Sequence, residues 1–218
     1  MTVLQPREAY RRLAEDYDAS PNALIALEQR TMAPLLPVSL ERHTVVDVAA
    51  GTGRWAQHCA KRGARIIAVD LCHEMLCRAS RHAVQGGLVQ ADAEWLPLPD
   101  ASADIVICAF AVGYAPACFA ELARITRKGG MLLVSDVHPE ALDRGWTRSF
   151  RHRGAVIRVS DQPYGLADLY APGLQLSCLI EPRLGAPERE FFERAGRLDR
   201  FDEACREPAI FVARWIRM

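Results

Sequence analysis

The clearest chemical feature of the chain is a glycine loop. The loop Gly51-Thr52-Gly53 directly follows the apolar, β-branched run Thr44–Ala49, which is typical of a buried strand. A helix starting at Arg54 would place its N-terminus and free backbone N–H groups against a ligand, and glycine lets that backbone approach closely. Residues Gly51–Ala56 fit the pattern G-x-G-x-x-A, and Asp70 ends the next predicted strand. A carboxylate there suits a ribose diol, so the spacing predicts an adenosine-containing ligand.

The loop alone does not separate NAD from S-adenosylmethionine (SAM), but three further features favour SAM. Asp47 lies inside the first strand, where a carboxylate suits an ammonium group and gives nothing to a pyrophosphate. Asp92-Ala93-Glu94 follows the third strand, where a carboxylate can meet the adenine amino group. Neither Lys61 nor Lys128 has a tyrosine four residues earlier, so a Tyr-x-x-x-Lys dyad for hydride transfer is missing.

The elements that must position these residues alternate between strand and helix. The apolar runs predict strands at Thr44–Ala49, Arg65–Asp70, Leu88–Ala91, Asp104–Phe110, Met131–Ser135, Ala155–Val159, Leu174–Ile180 and Ala209–Ile216. Helices are expected over Arg7–Asp18, from Ser20-Pro21 to Pro34 or Pro37, and at Arg54–Arg62, His73–Val84, Pro116–Arg127 and Pro187–Ala195, with glycines closing several of them. This alternation indicates an α/β fold with a mainly parallel sheet covered by helices on both faces.

Composition narrows the function classes. The 218 residues are 50% hydrophobic and 25% charged, with a formal net charge of zero, which argues against non-specific binding to nucleic acid or to an anionic membrane. The seven cysteines contain no C-x-x-C pair, and Cys72, His73 and Cys77 have no second cluster at zinc spacing, so no metal is expected. We expect a cytoplasmic chain without a leader or a membrane span, folded as one domain over residues 1–218.

Four ordered segments carry a family resemblance. VVDVAAGTGRW at 45–55, AVDLCHEML at 68–76, ADAEWLPLPDASADIVICAFAV at 91–112 and ELARITRKGGMLLVSDVHP at 121–139 resemble the successive motifs of class I SAM-dependent methyltransferases, particularly the ubiquinone/menaquinone-biosynthesis-like group. The resemblance implies a Rossmann-like, seven-stranded sheet with an antiparallel last strand, and SAM as the methyl donor with S-adenosylhomocysteine (SAH) as the product. It also implies an N-terminal helical cover (1–40), a SAM-binding core (41–139) and a substrate-side region with the C-terminal strands (140–218).

The family pattern assigns roles to twelve positions. It implies that Asp47 holds the loop and the ammonium, that Ala49, Gly51 and Gly53 line the methionine part, and that Asp70 binds the ribose. It further implies that Leu71 and Met75 flank the adenine, that Asp92 and Ala93 meet its edge, that Phe110 lies near the methionine part, and that Tyr10 and Tyr17 close over the cofactor.

The substrate side is less defined. His138, after the fifth strand, is the best candidate for a general base, with Asp136 and Tyr114 as weaker alternatives; a structural role capping the turn before Pro139 is also open. An arginine patch suggests an acidic or carrier-linked small molecule, although a solvated hairpin face explains it equally well. The patch consists of Arg144, Arg148, Arg151, Arg153 and Arg158 with His152.

Related chains carry a full helix before the strand at Leu174, whereas Tyr164–Tyr170 has room for only about two turns. We therefore expect a thinner cover over the active site, or one completed by a partner. The expected function is methyl transfer to a small-molecule oxygen, nitrogen or carbon. An NAD-dependent oxidoreductase and a non-catalytic SAM-binding protein remain the rivals, an RNA substrate is poorly supported, and the oligomeric state is open.

Overall fold

The computed structural model describes residues 2–19, 22–79 and 86–218. Its main sheet has seven strands in the order β4-β3-β2-β5-β6-β10-β9, and the first five of these are parallel to one another. These strands are β2 (Thr44–Val48), β3 (Arg65–Asp70), β4 (Gly86–Gln90), β5 (Ala103–Ala109), β6 (Thr126–Val137), β9 (Leu174–Ile180) and β10 (Ile210–Arg217). Strand β10 runs antiparallel to both β6 and β9, which confirms the predicted antiparallel last strand and the predicted fold class.

Helices cover both faces of this sheet. They are α1 (Pro6–Leu13), α2 (Ala23–Met32), α3 (Arg54–Ala60), α4 (His73–Ala79), α5 (Cys118–Ile125), α6 (Pro139–Asp143), α7 (Arg189–Arg194) and α8 (Phe201–Ala204). On one face, Leu27 of α2 and Trp55 of α3 share a core with Ile107. On the other face, Phe119 of α5 packs edge-on against Trp215 at 5.0 Å between ring centroids. Among the described residues, every helix is too short or too polar to span a bilayer.

A second, three-stranded sheet was not predicted. It has the order β1-β8-β7 and joins β1 (Thr2–Leu4) to the hairpin of β7 (Ser149–His152) and β8 (Ala155–Val159). Strand β1 pairs with β8 in parallel, so the first residues of the chain are tied to a segment far along the sequence. Only β8 was predicted, because β1 is very short and three of the four residues of β7 are polar.

Several predicted boundaries were wrong for local reasons. Helix α5 ends at Ile125 and not at Arg127, because the backbone becomes extended at Thr126, where β6 begins. The glycine pair at 86–87, predicted to end the preceding helix, begins β4 instead.

The start of α2 and the end of α4 also differ from the prediction. The described start of α2 is capped by Asn22, whose side chain accepts from the Leu24 N–H at 2.9 Å, and the predicted start at Ser20-Pro21 lies outside the described residues. Helix α4 is described to Ala79, and the rest of the predicted His73–Val84 helix lies outside the described residues. That residues 1–218 form one domain remains a prediction.

The cover helix α2 is fixed to the sheet by one buried carboxylate. Glu28 is fully buried, and its Oε1 accepts from Trp55 Nε1 at 2.9 Å and from the Ser135 hydroxyl at 2.8 Å. Its Oε2 lies 2.8 Å from Arg54 Nη2. One side chain therefore joins α2, α3 and β6, and burial raises its pKa.

We expect Glu28→Ala to reduce the free energy of unfolding by about 3 kcal/mol, because it leaves Arg54, Trp55 and Ser135 without their shared partner. Chemical denaturation followed by circular dichroism measures this loss. The matched control is Glu193→Ala, which removes an exposed pair with Arg189 and should cost less than about 0.5 kcal/mol. Equal losses for the two variants would contradict the role of Glu28.

Candidate functional site

The loop after β2 turns sharply through three residues with positive φ. These are Ala49 at 54°, Gly51 at 56° and Gly53 at 84°. A Cβ atom added at Gly53 would lie 3.1 Å from the Ala79 Cβ, so glycine there allows both the conformation and the close packing of α3 on α4. The backbone N–H groups of this loop are therefore presented at the end of β2.

Asp70 connects this loop to the loop after β3. Its Oδ2 accepts from the Gly51 N–H and its Oδ1 accepts from the Cys72 N–H, both at 2.7 Å. Burial raises the pKa of Asp70, while these two hydrogen bonds favour its ionised form. Each oxygen keeps a further lone pair, so the carboxylate can still accept from two vicinal hydroxyl groups.

A cavity, here called the strand-end cavity, lies at the carboxyl ends of β2, β3, β4 and β5. Ligands in open α/β sheets bind at this edge. Ten of the twelve positions assigned from the sequence line the cavity: Tyr10, Tyr17, Ala49, Gly51, Asp70, Leu71, Met75, Asp92, Ala93 and Phe110. The structure therefore brings together residues that are distributed over a hundred positions of the chain.

Two lining residues adopt a backbone conformation that non-glycine residues rarely take. Ala49 and Phe110 have φ values of 54° and 56°, at the ends of β2 and β5. A non-glycine residue in this left-handed region costs on the order of 1–2 kcal/mol, and such strain concentrates at functional sites. The backbone is therefore constrained at these two residues, which form part of the floor of the strand-end cavity.

The cavity is covered by α1 and the segment that follows it. Tyr10 and Tyr17 pack with ring centroids 6.2 Å apart, and burial raises the pKa of both. The Thr52 hydroxyl donates to Asp18 Oδ1 at 2.6 Å, which joins the glycine loop to the end of this cover. The hairpin β7–β8 and β1 add a second layer, so the short segment before Leu174 does not leave this side bare.

Asp47 and Gly53 do not line the cavity. The Asp47 carboxylate accepts from the Ala56 N–H at 2.8 Å and fixes the start of α3, which agrees with the loop-holding part of its predicted role. Asp47 is 2% exposed and does not line the cavity, so its contact with an ammonium stays a prediction. Gly53 acts through packing against α4.

The prediction that His138 is the general base is not supported. His138 is only 3% exposed and does not line the strand-end cavity. It caps α6 through Nδ1, which accepts from the Glu140 N–H at 3.3 Å. Its Nε2 lies 2.8 Å from Glu181 Oε1. Both ring nitrogens are therefore occupied by structural contacts, as in the alternative role at the turn before Pro139.

The predicted arginine patch is also wrong as a single surface. Arg148 is 8% exposed, and its Nη1 lies 2.6 Å from Asp136 Oδ1. Arg144 pairs with Glu140, and Arg158 lies 3.8 Å from Asp161. Arg151 and Arg153 remain exposed on the hairpin, with His152 half-buried between them.

A second cavity, here called the hairpin cavity, lies between α1, the start of α2 and the β7–β8 hairpin. It shares four aromatic residues with the strand-end cavity: Tyr10, Tyr17, Phe110 and Tyr114. Sequence reasoning gave Tyr114 only a minor place and put Arg148 on the surface. The burial of Arg148 depends on Asp136 across the fold and has no local signal, whereas the aromatic residue Tyr114, soon after a strand end, did offer one.

Comparisons with known proteins agree with this geometry. Residues 46–134 match the family model described as a methyltransferase domain. A malonyl-[acyl-carrier protein] O-methyltransferase from Yersinia pestis is 36% identical over 141 residues, covering 62% of this chain and 51% of that protein. Over these residues the chain is therefore similar to methyltransferases. It spans about half the length of the curated relatives it matches.

Solved structures of SAM-dependent methyltransferases show the same fold at low sequence identity. A putative SAM-dependent methyltransferase from Listeria monocytogenes superposes with a TM-score of 0.70 at 18% identity, covering 90% of this chain and 99% of that one. A geranyl diphosphate C-methyltransferase from Streptomyces coelicolor, crystallised with Mg²⁺, geranyl diphosphate and SAH, gives 0.64 at 12% identity, covering 89% and 80%.

The buried carboxyl of Asp47 should make stability depend on pH. Burial raises its pKa to about 7, so between pH 4 and 7 the folded chain keeps a proton that the unfolded chain has lost. Stability from this group therefore falls as pH rises through that window. An asparagine can still accept from the Ala56 N–H and cannot ionise, so the stability of Asp47→Asn should not fall in this window. The free energy of unfolding of Asp47→Asn relative to the wild type should therefore rise by about 2 kcal/mol from pH 5 to pH 8.

Urea denaturation of both proteins at the two pH values measures this gain. Asp199→Asn, at an exposed carboxyl, serves as the control and should show no such divergence. A difference between Asp47→Asn and the wild type that stays constant from pH 5 to pH 8 would show that Asp47 is ionised in the folded state throughout.

Proposed function

We propose that this protein transfers a methyl group from SAM to a small-molecule acceptor. The observation that carries the proposal is the strand-end cavity, whose lining includes ten positions assigned independently from the family motifs. The SAH-bound structure of the Streptomyces coelicolor relative supports the same ligand class. The chemistry that SAM supplies is an electrophilic methyl group on a positively charged sulfur.

The cavity residues fit this ligand. Asp70 accepts from the ribose hydroxyls, and Leu71 and Met75 give the adenine an apolar environment. Asp92 uses Oδ1 to accept from the Glu94 N–H at 3.0 Å, so its other oxygen is left for the adenine amino group. The backbone of Ala49 and Gly51 receives the methionine part.

The cover formed by α1 and the segment after it shields the strand-end cavity from water, which favours methyl transfer. An in-line displacement depends on proximity, alignment and exclusion of water. Tyr10 and Tyr17 cover the cavity, and the shared aromatic wall leads directly to the hairpin cavity, where we place the acceptor. Among the described lining residues, neither cavity contains a histidine, so the proposal uses no imidazole base.

Binding measurements separate this proposal from an NAD-dependent oxidoreductase. We expect isothermal titration to show SAM and SAH binding and no detectable NAD binding. Asp70→Ala should weaken SAM binding by about 10- to 100-fold, because it removes charge-assisted hydrogen bonds to the ribose. Binding of NAD without SAM would overturn the proposal.

Controls keep a folding defect apart from a binding defect. Asp70 also holds the loops at Gly51 and Cys72, so thermal melts of Asp70→Ala and of the milder Asp70→Asn must accompany the titrations. Asp199→Ala, at an exposed position, should bind SAM as the wild type does. A folded Asp70→Ala protein with unchanged SAM affinity would contradict the ribose assignment. Tight SAM binding without methyl transfer to a broad acceptor panel would identify a non-catalytic SAM-binding protein.

A carrier-linked acceptor is the finer form of the proposal. The likeness to the Yersinia pestis protein supports it, since that protein is a malonyl-[acyl-carrier protein] O-methyltransferase. A surface groove beside the cover also supports it. Its charged lining consists of four arginines against two glutamates, an excess of positive charge that suits an acidic partner. These residues are Arg11, Arg12, Arg78, Arg153, Glu15 and Glu74.

We expect kcat/KM with a malonyl group on acyl carrier protein to exceed that with malonyl-coenzyme A by about 10-fold or more. Arg153→Glu should lower the carrier-dependent rate through KM by about fivefold, because it reverses a charge on the docking surface. Initial-rate assays with radiolabelled SAM measure both values. Equal kcat/KM for the two forms, or no effect of Arg153→Glu on the carrier-linked substrate, would contradict carrier docking.

A further inference from the structure

The wall shared by the two cavities contains a pair of hydrogen-bonded tyrosines. The hydroxyl oxygens of Tyr10 and Tyr114 lie 2.7 Å apart, and their rings meet edge to face at 5.8 Å. Both residues line both cavities. This hydroxyl pair therefore lies in the region that a methyl group must cross to pass from one cavity to the other.

The pair has one hydrogen-bond donor to spare. Two hydroxyl groups have two hydrogens, and their mutual hydrogen bond uses one of them. Within residues 2–19, 22–79 and 86–218, neither hydroxyl makes a second hydrogen bond. A part-buried O–H donor that faces a cavity can donate to an oxygen atom of a bound molecule.

A buried cation polarises this pair. The Arg148 guanidinium lies over the Tyr114 ring, 4.9 Å from its centroid. It is held there by Asp136, whose Oδ1 also accepts from the Val137 N–H and whose Oδ2 accepts from the Gly113 N–H at 2.8 Å. A cation over the ring makes the Tyr114 hydroxyl a stronger donor, which suits an anionic oxygen.

The rest of the hairpin cavity has an apolar part and a polar part. Its apolar lining comes from Leu13, Leu24, Ile25, Val137, Trp146, Phe150 and Val159. Its polar lining comes from Asn22, Thr147, Arg148 and Ser149. Such a lining suits a molecule with an apolar body and a negatively charged polar end.

No strong base stands beside the hydroxyl pair. The lining of the hairpin cavity within the described residues contains no histidine, aspartate or glutamate. Burial raises the pKa of Tyr114 to about 12, so its hydroxyl stays protonated and acts as a donor near neutral pH. A hydroxyl or phenol acceptor would have to lose a proton during transfer, whereas a carboxylate reaches the site already ionised.

We propose that the hairpin cavity binds an apolar carboxylic acid as its carboxylate, and that the free donor of the Tyr10–Tyr114 pair holds one carboxylate oxygen. This rests on the proposed methyl transfer and names its acceptor class. A lone pair of the carboxylate forms the new C–O bond while the methyl C–S bond breaks and leaves its electron pair on sulfur. The sulfonium becomes the neutral thioether of SAH, the acceptor becomes a methyl ester, and no proton is transferred.

The test uses the SAH-loaded protein and probes that share a chain but differ in the end group. Butanoate, octanoate and dodecanoate are titrated by calorimetry beside 1-octanol and octylamine. We expect at least one carboxylate to bind about 10-fold more tightly than 1-octanol, and octylamine to bind most weakly, because a protonated amine cannot accept from the pair. Octanol or octylamine binding as tightly as every carboxylate would overturn the proposal.

Variants locate the effect at the hydroxyl pair. Tyr114→Phe and Tyr10→Phe should each weaken carboxylate binding by about 5- to 20-fold, and the double variant should lose little more, because either change disrupts the same pair. Thermal melts of both single variants must match that of the wild type, so that a loss of carboxylate binding is not a folding defect. Tyr170→Phe, at an exposed tyrosine, should behave as the wild type.

The outcomes separate the two proposals. If the wild-type protein binds neither SAM nor SAH, both the proposed function and this inference are wrong. A protein that binds SAH while Tyr114→Phe, folded by its thermal melt, binds carboxylates as tightly as the wild type ends only the assignment to the tyrosine pair.

Discussion

The carboxylate of Asp70 fixes the two loops from which the floor of the strand-end cavity is built. It can reach both because β2 and β3 are held in one register, with Asp47 opposite Ala68 and Val48 opposite Val69. The Ala50 N–H continues that ladder by donating to the Val69 carbonyl at 3.0 Å. A slip of one residue would turn the Asp70 side chain to the other face of the sheet. The apolar packing that sets the register therefore also sets the site.

The cover depends on long-range attachments at both of its ends. Before α1, β1 pairs with β8, with Thr2 opposite Ile157; after α1, Asp18 accepts from the Thr52 hydroxyl. The hairpin that receives β1 also forms part of the hairpin cavity. The N-terminal segment and the hairpin are thus coupled, and the coupling explains how this chain covers its site with only a short 3-10 turn at Leu166–Asp168 before β9.

The floor of the site could be predicted from the sequence because its determinants are local. A strand, a positive-φ glycine loop and an acidic strand end leave a pattern of types and spacings within thirty residues, and β3 was predicted with its observed bounds. The spacing of Leu24, Glu28 and Met32 along one helix also places a carboxylate beside two apolar positions, so the burial of Glu28 had a readable signal.

The substrate side could not be predicted in the same way. The position of His138 at a strand end indicates the edge of the sheet, but the direction of its ring is decided by Glu181, 43 residues later. The burial of Arg148 likewise requires Asp136 of β6 and a glycine at 113 that leaves room for the guanidinium. Pairings of this kind follow from the tertiary fold and leave no periodic pattern in the chain.

The apolar wall between the cavities favours one class of methyl transfer on physical grounds. Transfer to a carboxylate removes a positive charge from sulfur and a negative charge from oxygen, whereas transfer to a neutral amine only moves a positive charge. Charges are costly away from water, so a wall of four aromatic side chains raises the energy of the charged reactants relative to a transition state in which both charges are fading. Arg148 does not reverse this, because Asp136 balances its charge at 2.6 Å and leaves a polarising but nearly neutral pair. Burial therefore has two effects that agree. It leaves few basic side chains at the site, and it favours a carboxylate acceptor, which needs no base.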